Sequence, residues 1–293
     1  MNRKDLHQSA RGTLYVVPTP IGNLEDITLR ALRVLKEVHF IAAEDTRHTK
    51  KLLNHFDIHP TEFFSYREQN SREAGAKVRA LLEQGRSGAV VSDAGMPAIS
   101  DPGRQVIADL VELGFPFVVL PGPSALLTAL VGSGLATEAF SFHGFLDRQT
   151  KGRRTTLELL KMRRETLVFF ESPHRIEKSL EDMHAVFGDR QVVVARELTK
   201  VHEHYVRGRL SEWSALLPPE AMRGEMVVLI EGMTAAPEYP ETADAGLLEG
   251  ESVAQHVRRL MDEGLDKKEA MRAVAKARSI TRRAVYQSLL LQE

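Results

Sequence analysis

The sequence predicts an α/β protein. It has two consecutive α/β domains, over residues 12–122 and 123–233, and a small helix-turn-helix-like domain at 253–293. Three observations carry this. Short β-rich apolar runs alternate with helically spaced segments along residues 12–233, the pattern of strands and crossover helices in a mostly parallel sheet. Several runs, such as Gly88-Ala89-Val90-Val91 and Gln191–Arg196, are nearly continuous in apolar character, as strands covered on both faces are. Residues 234–252 then hold five acids, two prolines and no base, which reads as a linker, and beyond them only helical spacing remains.

In order, Gly12–Pro18 is the first strand, followed by a loop and a helix over Ile27–Val38. His39–Ala43 is a strand ending in Glu44-Asp45-Thr46-Arg47, where Asp and Thr suit a helix N-cap. A helix to His55, a strand over Thr61–Ser65, a polar loop Tyr66–Asn70 and an amphipathic helix Ser71–Glu83 follow. After the strand at 88–91, Ser92–Gly103 holds two each of glycine, proline, aspartate and serine in twelve residues. That composition cannot pack as a core, and an ordinary βα connection needs only about two to six residues, so length favours a ligand loop. The next helix, Arg104–Leu113, has Asp101 as its expected N-cap and Pro102 at its first position. Phe115–Leu120 is the fifth strand, closed by Pro121-Gly122-Pro123-Ser124.

A small-residue helix, Ser124–Ser133, leads into the second half. Its strands are Ala139–Gly144, Thr166–Glu171 and Gln191–Arg196, and His202–Leu210 and Glu225–Glu231 read as a pair of strands ending the domain. Leu146–Arg154 is a basic loop, equally compatible with a solvated helix start and with an RNA contact. At the C-terminus Ser252, Asp266 (with Glu269 completing a capping box) and Thr281 cap three helices. The last begins with Arg282 and Arg283, where helix-turn-helix modules meet nucleic acid.

Composition excludes more than it selects. The 293 residues contain no cysteine, which rules out disulfides, thiolate chemistry and cysteine-ligated metals. No apolar run approaches membrane-spanning length and the first eleven residues lack a signal-peptide core, so a cytoplasmic protein is expected. Net charge is −1, yet residues 253–293 carry nine Lys/Arg against five Asp/Glu, a local basic surface rather than a basic protein. The first loop lacks G-x-G-x-x-G, with Pro18 and Pro20 where that motif wants glycine, so a dinucleotide site is not expected. His202-Glu203-His204 lacks an evident third ligand, and no metal is expected.

Five motifs occur in a specific order: Pro18-Thr19-Pro20-Ile21-Gly22-Asn23-Leu24, Ala43-Glu44-Asp45-Thr46-Arg47, the loop S-D-A-G-M-P-A-I-S-D-P-G at 92–103, Pro121-Gly122-Pro123-Ser124 and Glu171-Ser172-Pro173-His174-Arg175. Together they resemble the tetrapyrrole-methylase-like, or class III, S-adenosylmethionine-dependent methyltransferases. The proline-type first loop resembles the branch that 2′-O-methylates a cytidine of small-subunit (16S) ribosomal RNA. The resemblance covers about residues 12–233 and implies S-adenosyl-L-methionine in a cleft between the two domains. Carried over by motif, the cofactor contacts are Ile21, Asp93, Ala94, Met96, Ser124, Ala125, Phe170, Leu198 and Met226. The implied partners are the 16S ribosomal RNA within the small subunit and a second copy of the chain as a homodimer.

Methyl transfer to a hydroxyl is an in-line displacement that gains most from positioning, and a ribose hydroxyl benefits from a base. His174, Glu44, Asp45, Glu197 and Lys200 are candidates that the sequence does not rank, each equally readable as a structural ion pair. Candidate RNA contacts are Arg47, Arg67, Lys151, Arg153, Arg154, Arg282 and Arg283. Two other readings stay open: a methyltransferase of this class acting on a tetrapyrrole or a protein, and a non-catalytic RNA-binding or ribosome-assembly protein.

Overall fold

A computed structural model describes residues 11–101, 103–217, 224–233, 251–278 and 280–290, and the side chains of these residues except Leu216, Lys276, Arg282, Arg283 and Leu290. The chain divides into two compact units, residues 1–233 and 234–293. Most of the acidic linker lies outside the described residues.

The first unit holds two five-stranded sheets. The N-terminal sheet comprises β1 (Leu14–Val16), β2 (Phe40–Ala43), β3 (Glu62–Ser65), β4 (Gly88–Val91) and β5 (Phe117–Val119) in the order β3-β2-β4-β1-β5. Every pairing in it is parallel. The period of two sorts its side chains onto opposite faces. Ile41 and Ala43 pack with α1 (Leu29–Glu37) and α2 (Thr46–His55), while Phe40 and Ala42 pack with α3 (Ser71–Glu83) and α4 (Arg104–Glu112). Helices on both faces explain why β2 and β4 are buried throughout. The helix starts are capped locally: Thr28 accepts from the Ala31 N–H and Asp45 from the Arg47 N–H.

The second sheet is mixed, in the order β6-β7-β10-β8-β9, with β6 (Phe140–Phe145) parallel to β7 (Thr166–Glu171). Strands β8 (Gln191–Arg196), β9 (His204–Arg209) and β10 (Met226–Ile230) complete it in antiparallel pairings. Here the expectation of a terminal strand pair is corrected. β10 does not touch β9; it inserts between β7 and β8. Its five residues, Met-Val-Val-Leu-Ile, are all buried, which suits the centre, whereas β9 alternates exposed and half-buried residues and takes the edge. One face packs on α6 (Thr150–Leu160) and α7 (Ile176–Phe187), near the short α8 (Trp213–Leu216); the other packs on α5 (Ala125–Ser133). Ile21 and Ala94 of the N-terminal half join that second face, so a shared core ties the two sheets together.

A second correction concerns the basic loop at 146–154. Helix α6 begins at Thr150, and its helical phase turns Arg153 inward beside Leu157 and Leu160. Arg153 is 2 % exposed, donates to Asp182 at 2.7 Å, and also donates to the carbonyls of Asp147 and Arg148. It is a core ion-pair residue and presents nothing to RNA. Arg154, half exposed, bonds the other Asp182 oxygen, and Lys151 is exposed.

The C-terminal unit packs α9 (Val253–Asp262), α10 (Lys267–Ala277) and α11 (Arg282–Leu290) around Val257, Leu260, Val274 and Val285. The expected caps form at Ser252, at Asp266 with Glu269, and at Thr281. Arg282 and Arg283 open α11, but their side chains lie outside the described residues. His256 is fully buried, its Nδ1 accepting from Arg278 Nε at 3.2 Å. Burial, only partly offset by Glu251, holds its pKa below the ordinary value. A depressed histidine pKa means the fold favours the neutral ring. Its contribution is therefore complete above the unfolded value of about 6.5 and is lost as pH falls through the folded one. A proton NMR titration of the full chain is expected to place the His256 inflection below that value; an inflection above it would contradict this account.

Candidate active site

The site is built where the loops at the carboxyl ends of the first sheet's strands meet the end of β7, the loop after β8 and the start of β10. Strand β4 runs out at Val91 into the 92–103 loop, and this loop is pinned to the one after β1. Thr19 and Gly95 exchange backbone hydrogen bonds of 3.0 and 2.9 Å, and the Thr19 hydroxyl donates to the Ser92 carbonyl at 3.1 Å. Gly95 has φ +79°, which glycine adopts without strain. Ala98 and Ser100 also have positive φ, as do Glu197 and Thr199 after β8. Four of the five non-glycine residues in this conformation, among those described, thus flank one cavity, each costing about 1–3 kcal/mol that surrounding contacts must offset. Gly22 sits where the β1 loop meets the β8 loop. A Cβ there would come within 2.5 Å of the Lys200 side chain and 2.8 Å of the Leu198 carbonyl, so only glycine lets the loops close.

The cavity between them measures about 320 Å³. Ile21, Asp93, Ala94, Met96, Ser124, Ala125, Phe170, Leu198 and Met226 all line it, so the structure brings together all nine positions carried over by motif. Phe170 is held by edge contacts from Phe142 and Phe145, at centroid distances of 4.8 and 5.7 Å. Five carboxylates line it too (Glu44, Asp93, Asp101, Glu171 and Glu225), while no Lys, Arg or His does among the described residues.

These acids are held differently. Asp93 accepts the Asp45 N–H at 2.9 Å, and Glu44 accepts the Asp93 N–H at 3.3 Å, so the β2 and β4 loops clasp each other. Glu171 is buried and accepts from the Ser172 N–H at 2.8 Å and the Ser179 hydroxyl at 2.5 Å. Burial raises the Glu44 pKa, with the Asp93 N–H working against it. Asp101 is pushed up to about 7, first by burial and then by the charge of Glu44, the Ser92 hydroxyl partly offsetting both. Its expected capping role is corrected. α4 starts at Arg104, so Gly103, with φ +125° and no side-chain cap, takes the N-cap position, and the Asp101 carboxylate lines the cavity instead. Asp101, Glu171 and Glu225 were not singled out from sequence. The S-D-P-G and E-S-P-H-R strings did mark their neighbourhood, but the first was read as a cap and the second only through His174.

Of the catalytic candidates, Glu44 alone lines this cavity. Asp45 caps α2, and its bond to the Arg47 guanidinium holds its pKa far below the carboxylate range. Lys200 lines an adjoining cavity and bonds Glu197 at 2.9 Å and Glu225 at 3.3 Å. Burial disfavours its charge, but these carboxylates hold its pKa above the ordinary value, so it is a cation rather than a base. Glu197 pairs with it. His174 is exposed on the turn after β7 and does not line the cavity. Arg47 is 85 % exposed, and Arg67 donates to the Glu44 carbonyl at 3.0 Å. Among the described residues no three His, Cys, Asp or Glu cluster as metal ligands, and no helix is long and apolar enough to cross a membrane.

The model of the family "Tetrapyrrole (Corrin/Porphyrin) Methylases" matches residues 13–214. The chain belongs to this family. It is 47 % identical over 276 residues to the ribosomal RNA small subunit methyltransferase I of Halalkalibacterium halodurans, covering 94 % of each chain. It is 42 % identical to the protein of that name in Bacillus subtilis, covering 98 % of this chain and 97 % of the relative. Among solved structures, a cobalt precorrin-4 methyltransferase aligns with a TM-score of 0.57 at 18 % identity, over 75 % of this chain and 94 % of its own. A Thermus thermophilus uroporphyrin-III C-methyltransferase, crystallised with S-adenosyl homocysteine, aligns with a TM-score of 0.53 at 20 % identity, over 74 % of this chain and 97 % of its own. At those identities the likeness shows a shared fold.

Proposed function

We propose that the chain is an S-adenosylmethionine-dependent methyltransferase of small-subunit ribosomal RNA, and that it methylates the ribose 2′-hydroxyl of a cytidine on the assembled subunit. The observation that carries the cofactor is the lining of the cavity: apolar walls, five carboxylates and no base among the described residues. A sulfonium and an ammonium suit such walls, whereas a nucleoside phosphate would be repelled. The ring of Phe170 and the side chains of Met96 and Met226 suit an adenosine, and Asp93 suits the amino-acid tail. The cofactor supplies the methyl group, and this chain's residues hold it and align the acceptor.

Near-full-length identity to proteins named as small-subunit methyltransferases supports the RNA substrate over a tetrapyrrole. Arg47, Arg67, Lys151 and Arg154 remain the proposed RNA contacts of the first unit, and Arg282 and Arg283 those of the basic C-terminal unit. A cytoplasmic homodimer completes the reading; Leu127 and Val131, 51 % and 77 % exposed one turn apart on α5, supply an apolar strip for a second copy.

The test is transfer of labelled methyl from S-adenosylmethionine to small subunits from cells lacking this protein, followed by nucleoside digestion. Labelled 2′-O-methylcytidine is expected. Label in a methylated base, or in no RNA despite cofactor binding, would overturn the ribose reading.

A further inference from the structure

A cavity of about 800 Å³ adjoins the 320 Å³ one, and the two share part of their lining: Glu44, Asp93, Ser100 and Asp101 border both. The larger opens between the β3 loop and the start of α4, where Arg67, Gln69, Arg104 and Gln105 line it. Unlike the smaller cavity it holds two guanidiniums, which can meet phosphate; the amides of Gln69 and Gln105 suit base edges, its five carboxylates (Glu44, Asp45, Glu68, Asp93 and Asp101) suit ribose hydroxyls, and the volume accommodates a nucleotide turned out of its stack.

Transfer requires the acceptor oxygen and the methyl donor to meet at a boundary between their two sites. The shared wall is such a boundary, and its carboxylates are not equivalent. Glu44 and Asp93 accept backbone N–H bonds that clasp the loops together. Asp101 lies near the Ser92 hydroxyl, which donates to the Ala94 and Gly95 carbonyls, both at 3.4 Å, and so does not hold the Asp101 carboxylate as the backbone N–H groups hold the other two. A third cavity, on the Lys200 side, meets the cofactor cavity at Asp93 and Glu225, the first bound to the Asp45 N–H and the second to Lys200, so it offers no free carboxylate.

We propose that the cavity bordered by Arg67 and Arg104 is the subsite for the target nucleotide, and that Asp101 is the proton acceptor in methyl transfer. This rests on the ribosomal RNA reading above. In the balanced step the 2′-oxygen forms the new O–C bond, the sulfur–methyl bond breaks with its electron pair left on sulfur, and the hydroxyl proton passes to Asp101 and then to water. Asp101 must be ionised to act. Burial and the negative charge of Glu44, Asp93 and Glu225 raise its pKa, the nearby Ser92 hydroxyl partly offsets them, and the ionisation of a carboxyl so placed falls about pH 7. The single-turnover rate is therefore expected to rise with pH and level off above that value.

The experiment measures single-turnover methylation of unmodified small subunits against pH, together with calorimetric binding of S-adenosyl homocysteine. Asp101→Asn is expected to slow transfer by about 100-fold or more and to abolish the inflection near pH 7, with homocysteine-adduct affinity kept within about threefold. Asp101→Glu should restore part of the rate. Arg104→Glu should weaken subunit binding by roughly tenfold while leaving adduct affinity unchanged. A wild-type rate independent of pH across this range would overturn the proposal without any variant, as would an Asp101→Asn rate within about fivefold of wild type. If the wild type methylates no RNA at all, the function itself fails; if it does and Asp101→Asn is silent, only this inference fails.

Discussion

Asp182→Ala is expected to destabilise the protein by about 3–5 kcal/mol, the largest effect of any single polar substitution considered. The Arg153 and Asp182 side chains are 3 % and 5 % exposed and paired at 2.5 Å. Removing the carboxylate leaves a guanidinium buried with only carbonyl and hydroxyl partners, and the cost of a desolvated, uncompensated charge dominates. The double replacement Arg153→Met with Asp182→Leu removes both charges and should recover most of the loss. Trp213, the sole tryptophan, packs against this half's core, so its fluorescence in a denaturant titration reports the change. A loss below about 1 kcal/mol for Asp182→Ala would mean that water reaches Arg153.

The second large effect is expected at Asp93. Its carboxylate borders three adjoining cavities and accepts the Asp45 N–H that fixes the β2 loop against the β4 loop. Asp93→Ala removes a charged acceptor from both the loop clasp and the proposed cofactor contact. A charged hydrogen bond contributes about 1.5–3 kcal/mol, so affinity for S-adenosyl homocysteine should fall by roughly 10- to 100-fold. Asp93→Asn keeps an acceptor oxygen and should lose less. Calorimetry on the full chain settles the order; equal affinity for wild type and Asp93→Ala would remove Asp93 from the cofactor site.

Much of this arrangement was legible in the residues. The helix over Ser71–Glu83 falls on its expected bounds because its apolar phase is unbroken. The nine positions expected to contact the cofactor converge on one cavity: five lie inside three of the motifs, and Ala125, Phe170, Leu198 and Met226 join them at the end or start of neighbouring elements. What was not legible is non-local. Nothing in Met-Val-Val-Leu-Ile states which strands will flank it, so the place of β10 between β7 and β8 emerges only from the competition for burial. Arg153 was read by charge, but one residue, about 100° of helical phase, separates the core Arg153 from the exposed Arg154, and that phase depends on where α6 begins. Asp101 was read as a cap because Asp-Pro-Gly has cap chemistry. The helix starts two residues later, at a glycine able to hold φ +125°, and the same aspartate becomes a wall of the site.

The central position of β10 also orders events in time. The N-terminal sheet is complete once residue 119 has been made: β4 arrives at residues 88–91 to bridge β2 and β1, and β5 then adds the edge. The second sheet closes in the same way but only at the last strand of the unit's described residues. β7 and β8 wait, unpaired with each other, until residues 226–230 arrive to bridge them, and that same strand brings Met226 and Val227 to the cavity wall. During synthesis the chain therefore carries a finished first sheet beside a split second one, with two apolar strand edges exposed. The cavity gains its last wall only when this strand slots in, so a nascent or truncated chain ending before residue 226 lacks Met226, Val227 and the strand that joins β7 to β8 behind them.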